Sequence, residues 1–398
     1  MNQDMNKEIK TIYELLKGRT TAAIFEPITR GATFVYPPLA HVMAKVLGPI
    51  KAFTWEHVDA FAMRIFEMVY RCTAIIKGLK LPAEPPAFSS VYMPGVDEAS
   101  HEHGPLSKQV RHSLQNVDRQ IGHMAKTLID LDLYDETSIV LSADHGLRPT
   151  SLHFNLGKFL GTVGLDVRSF PLTFLEGLGE FDACAAVSGN GMANVYLAAE
   201  GAEEKAHPFE YIKHDWKRRP KLEDLENYKI RKGRVNIIDL MRHLLPVQHV
   251  FVRENKATTH VYSRDGHGAI KKRRGNEYRY DVIEGMDPLE YDSVVEEGKI
   301  AYGEWLDERE WLSATCEAEF PDAPVQVSQI FESPRAGDLI INSRMGWDLK
   351  PEMQTHHGTH GGLYAAEMRV PLLVANSRYE LRPDQPLRTP DVLDILLA

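Results

Sequence analysis

Between two short apolar runs, Ala87–Met93 and Ser138–Leu141, lies a long stretch from Leu106 to Leu133. In it Val110, Leu114, Val117, Ile121, Met124, Leu128 and Leu131 recur every three or four residues. That period lays one apolar stripe along a helix, and the flanking runs have the length of strands. Strand, long helix, strand is a βαβ unit, which predicts parallel pairing of the two strands. A sheet of that kind carries its ligand crevice outside the carboxyl ends of its strands. The segments just after Met93 and just after Leu141 are therefore predicted to meet at one sheet edge.

Both places carry metal-ligand residue types. After Leu141 comes Ser142-Ala143-Asp144-His145-Gly146. Neighbouring side chains of a strand point to opposite faces, so Asp144 and His145 serve one site only where the strand stops, and Gly146 supplies the turn. After Met93 comes Pro94-Gly95-Val96-Asp97-Glu98-Ala99-Ser100-His101-Glu102-His103-Gly104-Pro105. Its prolines and glycines oppose a helix and predict a loop on which Asp97 and His101 curl toward one ion. Alone, each motif reads better as a polar surface turn. A third segment, Thr355-His356-His357-Gly358-Thr359-His360-Gly361-Gly362, precedes the apolar run Val370–Ala375 and adds imidazole, which suits zinc and related ions.

The rest of the chain supplies a frame. A short helix is predicted at Glu8–Leu16, a strand at Thr21–Phe25, and helices at Leu39–Leu47 and Val58–Ile76. A helix is predicted at Leu152–Gly161. Ala183–Ser188 and Ala193–Ala198 flank Gly189-Asn190-Gly191, a hairpin signal. His207–Leu225 reads as a charged surface insertion, Val235–Leu245 as a helix and Val247–Val252 as a strand. Residues 259–282 alternate like a hairpin, with Tyr278, Tyr280 and Val282 on one face. Asp338–Asn342 returns to a strand, Pro390–Leu397 starts a helix, and residues 283–335 show no readable pattern. The predicted organisation is an α/β core over 1–180, an insertion or cap over 181–333, and a return to the core over 334–398.

Composition narrows the function. A formal net charge of -10 over 398 residues argues against general binding of nucleic-acid polymers or anionic membrane surfaces. Cys72, Cys184 and Cys316 are widely separated, so neither a disulfide framework nor a thiolate zinc cluster is expected, and a reducing compartment fits. No run is long and apolar enough for a membrane span, and residues 1–18 lack the apolar centre of a signal peptide. A cytoplasmic location is the expectation.

Taken together, DxxxHxxGP at Asp97–Pro105, SADHG at Ser142–Gly146 and GTHGG at Gly358–Gly362 resemble the alkaline phosphatase superfamily, and within it the type I phosphodiesterase/nucleotide pyrophosphatase group. The resemblance covers most of the chain and is weak between residues 200 and 330. It implies a mostly parallel α/β sheet sandwiched by helices, with a smaller α+β insertion, and hydrolysis of small phosphoric mono- or diesters. It implies two divalent ions, zinc or alternatively manganese. Asp97, His101 and His360 would hold one; Asp144 and His145 would contribute to the second. His103, His356 and His357 match no ligand position of the family.

The chain departs from the family pattern at its start. Members open with a strand ending in a metal-binding aspartate, followed by a Thr or Ser nucleophile at a helix start. No such segment precedes Thr11–Leu16, and Thr20, Thr21, Thr29 and Thr33 stand in the wrong context. The expectation is a hydrolase lacking its amino-terminal segment, with no nucleophile assigned. The alternatives are a non-catalytic metal-binding pseudoenzyme and a sister enzyme such as a phosphonate hydrolase, sulfatase or phosphomutase.

Overall fold

The computed structural model describes residues 2, 5–36, 54–73, 80–170, 181–200, 214–216, 218–350, 356–382 and 384–398. These fall into two compact units: Met1–Ser142 with Pro371–Leu381 and Arg388–Ala398, and Ala143–Val370 with Arg382–Leu387.

In the first unit the central strand is Thr21–Ile24. Phe34–Tyr36 and Phe88–Val91 pair with it on either side, both parallel. All four of its residues are buried, as a parallel strand covered on both faces requires. The helix Trp55–Arg71 lays Val58, Ala62, Ile65, Phe66 and Val69 into this core and ends at Cys72, whose left-handed backbone terminates the turn. The long helix is Lys108–Asp130, its start capped by Ser107 and its Leu128 fully in the core.

The strand after it, Ile139–Ser142, forms as expected but pairs differently. Its partner is Leu372–Ala375, antiparallel, with Leu372 opposite Ser142. Among the described residues no ladder joins it to Phe88–Val91, so the expected parallel pairing of these two strands is not formed. Periodicity reports that a strand exists; it carries no signal for a neighbour more than two hundred residues away in sequence.

The second unit is built on a nine-stranded sheet. Its order is Trp305–Asp307, Glu277–Gly285, Gly266–Arg273, Thr258–Tyr262, Val247–Arg253, Leu339–Ser343, Met192–Leu197, Ala183–Ser188 and Val167–Phe170. Only the last pairing, Val167–Phe170 with Ala183–Ser188, is parallel. The expected mostly parallel sheet is therefore corrected for this unit. Its hairpins, assigned from sequence to a separate insertion, pair directly with Leu339–Ser343, a strand expected in the core.

Alternation along the strands buries both faces. Val250, Val252, Leu339, Ile341 and Val195 point to one side, under the helices Leu156–Val163 and Ile237–Arg242. Phe251, Val261, Ile270, Tyr280 and Ile340 point to the other, under Glu308–Thr315 and Ala323–Ile330. The stretch that showed no pattern thus supplies a helical layer, opened at Glu308 by a capping box between Asp307 and Glu310.

A smaller sheet places Arg148–His153 between Gly346–Asp348 and Gly358–Thr359. The helix expected from Leu152 begins only at Leu156, behind the Asn155 cap, because the preceding residues are extended in this sheet. The expected helix Leu39–Leu47 and most of the charged insertion lie outside the described residues. Cys72, Cys184 and Cys316 are free thiols. Among the described residues no helix is long and apolar enough to cross a membrane.

Candidate metal centre

Asp97 and His101 lie in the first unit. They stand on a helix, Gly95–His103, and not on the expected loop. The punctuating residues bound that helix: Pro94 is its N-cap and Gly104, at φ 84°, its C-cap. Helical spacing of four puts both side chains on one face, and His101 Nε2 lies 3.5 Å from Asp97 Oδ1. The start of the helix is seated on Asp59, whose Oδ1 accepts from the Gly95 amide at 3.1 Å. A Cβ at Gly95 would fall 2.2 Å from Asp59 Oδ2, so no other residue fits there without movement. Burial pushes the Asp59 carboxyl up to about 7, partly offset by the Gly95 amide. His103 is exposed, with Nε2 3.6 Å from Glu102 Oε2.

Asp144, His145 and His360 lie in the second unit. His145 Nε2 is 3.6 Å from Asp144 Oδ2, and its Nδ1 is 3.0 Å from the Gly146 carbonyl. The His145 and His360 rings stack at 3.6 Å between centroids and 7° between planes. Both backbones are fixed. The Gly146 amide donates to the Glu367 carbonyl at 2.7 Å, and a Cβ on Gly146 would meet the Ala366 carbonyl at 2.2 Å.

His360 is held by the turn Gly189-Asn190-Gly191. Its amide donates to the Gly189 carbonyl and its carbonyl accepts from the Gly191 amide, each at 2.8 Å. Gly189 and Asn190 have φ of 58° and 69°, and a Cβ on Gly189 would lie 2.5 Å from His360 Nδ1. The sequence signalled this turn as a hairpin; that the hairpin tip also holds the His360 backbone had no local signal.

Glu367 and Arg148, neither singled out from sequence, tie the two segments together. Glu367 offers its carbonyl to Gly146 and its Oε1 to the Gly362 amide at 3.2 Å, while Oε2 lies 3.1 Å from Arg148 Nε. A further pair missed from sequence is His153 and Asp348, with Nδ1 to Oδ2 at 2.7 Å; burial pushes the Asp348 carboxyl up and His153 opposes it. His356 Nε2 sits 2.9 Å from Lys350 Nζ, and the His357 carbonyl accepts from Thr150.

The donor sets suit the expected ions. Tetrahedral zinc with ligand bonds of about 2.0–2.2 Å separates two of its ligand atoms by roughly 3.4 Å. The spacings within the pairs Asp97/His101 and Asp144/His145 are 3.5 and 3.6 Å. Carboxylate and imidazole without thiolate fit zinc or manganese.

Residues 16–363 match the family of type I phosphodiesterases/nucleotide pyrophosphatases, and the chain belongs to it. The family comprises hydrolases of phosphoric esters. Among curated relatives, ectonucleotide pyrophosphatase/phosphodiesterase family member 1 of Mus musculus is 38% identical over 96 residues, which is 23% of this chain and 11% of that one. The Homo sapiens counterpart is 31% identical over 125 residues, covering 28% and 14%. A venom phosphodiesterase of Naja atra is 38% identical over 82 residues, covering 20% and 10%. The chain thus matches only a small part of these relatives' length. Among solved structures, murine ectonucleotide pyrophosphatase/phosphodiesterase 5 aligns with a TM-score of 0.44 at 12% identity, covering 91% of this chain and 62% of that one.

Proposed function

We propose that this chain is a metal-dependent hydrolase of small phosphoric mono- or diesters, with Asp97, His101 and His360 holding one divalent ion and Asp144 and His145 contributing to a second. The observation that carries the reading is the family match across 16–363, which contains all three ligand motifs in order. The two Asp–His spacings support it. Bound, a pair of such ions stabilises the attacking and leaving oxygens of an in-line displacement at phosphorus. The chain's own work is positioning. The helix Gly95–His103 presents Asp97 and His101 together, the Gly189–Gly191 turn fixes the His360 backbone, and Glu367 joins the turn after His145 to the segment after His360.

A second reading, a metal-binding protein without turnover, rests on the donor set: only Asp144 and His145 are assigned to the second ion. One experiment separates the two. Metal content by mass spectrometry is measured beside hydrolysis of a p-nitrophenyl phosphodiester, for wild type and for Asp97→Ala with His360→Ala. Two ions with turnover, both lost in the double variant, supports the hydrolase. One ion without turnover supports the second reading, and no bound metal at all overturns both.

A further inference from the structure

Two histidines and a glutamate converge in the second unit, around the antiparallel strands Thr258–Tyr262 and Gly266–Arg273. Tyr262 stands opposite His267, and His260 opposite Ala269. His260 precedes Tyr262 by two residues, so His260 and His267 share a sheet face as diagonal neighbours, with only a methyl group opposite His260. The Tyr262 ring stacks on His267 at 4.2 Å between centroids and 10° between planes, which sets the plane of that imidazole. His260 Nδ1 then lies 2.9 Å from His267 Nε2, and both residues are partly exposed.

Glu254 fixes the tautomer of His260. Its Oε2 lies 3.1 Å from His260 Nε2. An ionised carboxylate only accepts, so Nε2 carries the hydrogen and Nδ1 turns a lone pair toward His267. A carboxylate behind the far nitrogen is the arrangement that orients a metal-binding imidazole. The spacing of the two facing nitrogens selects the ion. With bonds of about 2.0–2.1 Å, neighbouring ligands of a square plane stand about 2.8–3.0 Å apart, and those of a tetrahedron roughly 3.3–3.4 Å apart. The observed 2.9 Å is the square-planar spacing, which among late divalent ions suits copper(II) first. Without an ion, the same spacing is held by a hydrogen bond from His267 Nε2. On loading, that hydrogen moves to His267 Nδ1, so no net proton is lost. The charges acting on Tyr262 are Glu226, Arg242 and Glu254, and Arg242 is already paired with Asp239 at 2.9 Å. The surroundings are net negative, which favours a cation.

We propose that His260 Nδ1 and His267 Nε2 chelate one copper(II) ion, with Glu254 orienting His260 from behind and water completing the square plane. This site is separate from the candidate metal centre. Two protein ligands hold an ion exchangeably, so copper loads when it is supplied and does not count among ions retained through purification. Bound, it staples Thr258–Tyr262 to Gly266–Arg273.

The test is a copper titration followed by electron paramagnetic resonance. It uses the full chain carrying Asp97→Ala and His360→Ala, so that the candidate metal centre does not compete. Ester hydrolysis is not read, so the outcome is separate from that of the proposed activity. The first equivalent of copper is expected to give one tetragonal signal split by two imidazole nitrogens. Adding His267→Gln should remove the two-nitrogen splitting. Glu254→Gln, at an exposed position where folding is tolerant, should weaken copper binding about tenfold or more. A first equivalent showing fewer than two imidazole nitrogens overturns the site with both histidines in place. A two-nitrogen signal that survives His267→Gln overturns it as well, and unchanged affinity in Glu254→Gln overturns the role of Glu254.

Discussion

Arg148 Nε and Glu367 Oε2 lie 3.1 Å apart with their side chains 0% and 1% exposed. The guanidinium also donates to the Arg344 carbonyl at 2.9 Å and to the Ser343 hydroxyl at 2.5 Å, and stacks over the Tyr364 ring. Burial pushes the Glu367 carboxyl up, and Arg148 is the main influence drawing it back. Two buried charges that answer each other are costly to separate. Glu367→Gln is expected to destabilise the protein by about 3–5 kcal/mol, because it leaves an uncompensated guanidinium. Arg148→Met with Glu367→Leu should cost less than the sum of the single changes, read from urea midpoints at constant slope.

Gly189→Ala should act through shape. An alanine there is strained by the positive φ, at about 1–2 kcal/mol, and its Cβ enters the His360 ring. The expected result is a modest loss of stability with a clear change in the His360 imidazole resonances. Gly275→Ala, also at positive φ but with nothing nearer its Cβ than Glu277 Oε2 at 3.9 Å, should lose stability similarly and leave those resonances alone.

Asp59→Asn keeps the carbonyl that accepts from Gly95 and removes the titration. The folded pKa of about 7 lies above the usual 3.8, so the folded state holds the proton more tightly. Its contribution is full below about pH 4 and is lost as pH rises toward 7. The variant should lack this decline and be more stable than wild type at pH 8, by an amount on the order of a few kcal/mol. A variant with an unchanged pH slope and lower stability at pH 8 refutes the assignment.

His249 gives the opposite slope. Its folded pKa of about 4 lies below the usual 6.5, so stability falls as pH drops through that window. His267, beside His260 at 2.9 Å and depressed to about 4 by burial first and His260 second, adds to the same fall. Acid titration of Asp59→Asn should therefore expose a steeper loss between pH 6.5 and 4 than wild type shows.

Metal removal should be visible in stability. Zinc at a hundred times its dissociation constant stabilises by about 2.7 kcal/mol, so chelation of loaded protein should lower Tm. Asp97→Ala with His360→Ala should show no such drop.

Elements are legible in the sequence where their signals are local. The helix over the stripe from Val110 to Leu131, the hairpin signalled by Asn-Gly and the buried Tyr278/Tyr280 face are local, although within the stripe Leu114 is exposed while Ser113, Asn116 and Gln120 are buried. The helix Gly95–His103 is hidden because Pro94 and Gly104 read as helix breakers, whereas at the two ends they are caps. Strand partnership is not legible because the order of a sheet is decided by contacts remote in sequence, as with Ile139–Ser142 and Leu372–Ala375. Arg148 and Glu367 give no signal, since a buried charge pair looks in sequence like two surface residues.

The turn that grips His360 also changes how loss of function reads in a mutational screen. Gly189 and Gly191 bear no reactive group, yet substitution at either intrudes on the histidine's backbone or ring. A screen scored on turnover alone would rank them beside the histidine. Chemical rescue distinguishes the two kinds of loss: free imidazole can fill the gap left by His360→Gly, while no solute restores a main chain displaced by an added methyl group.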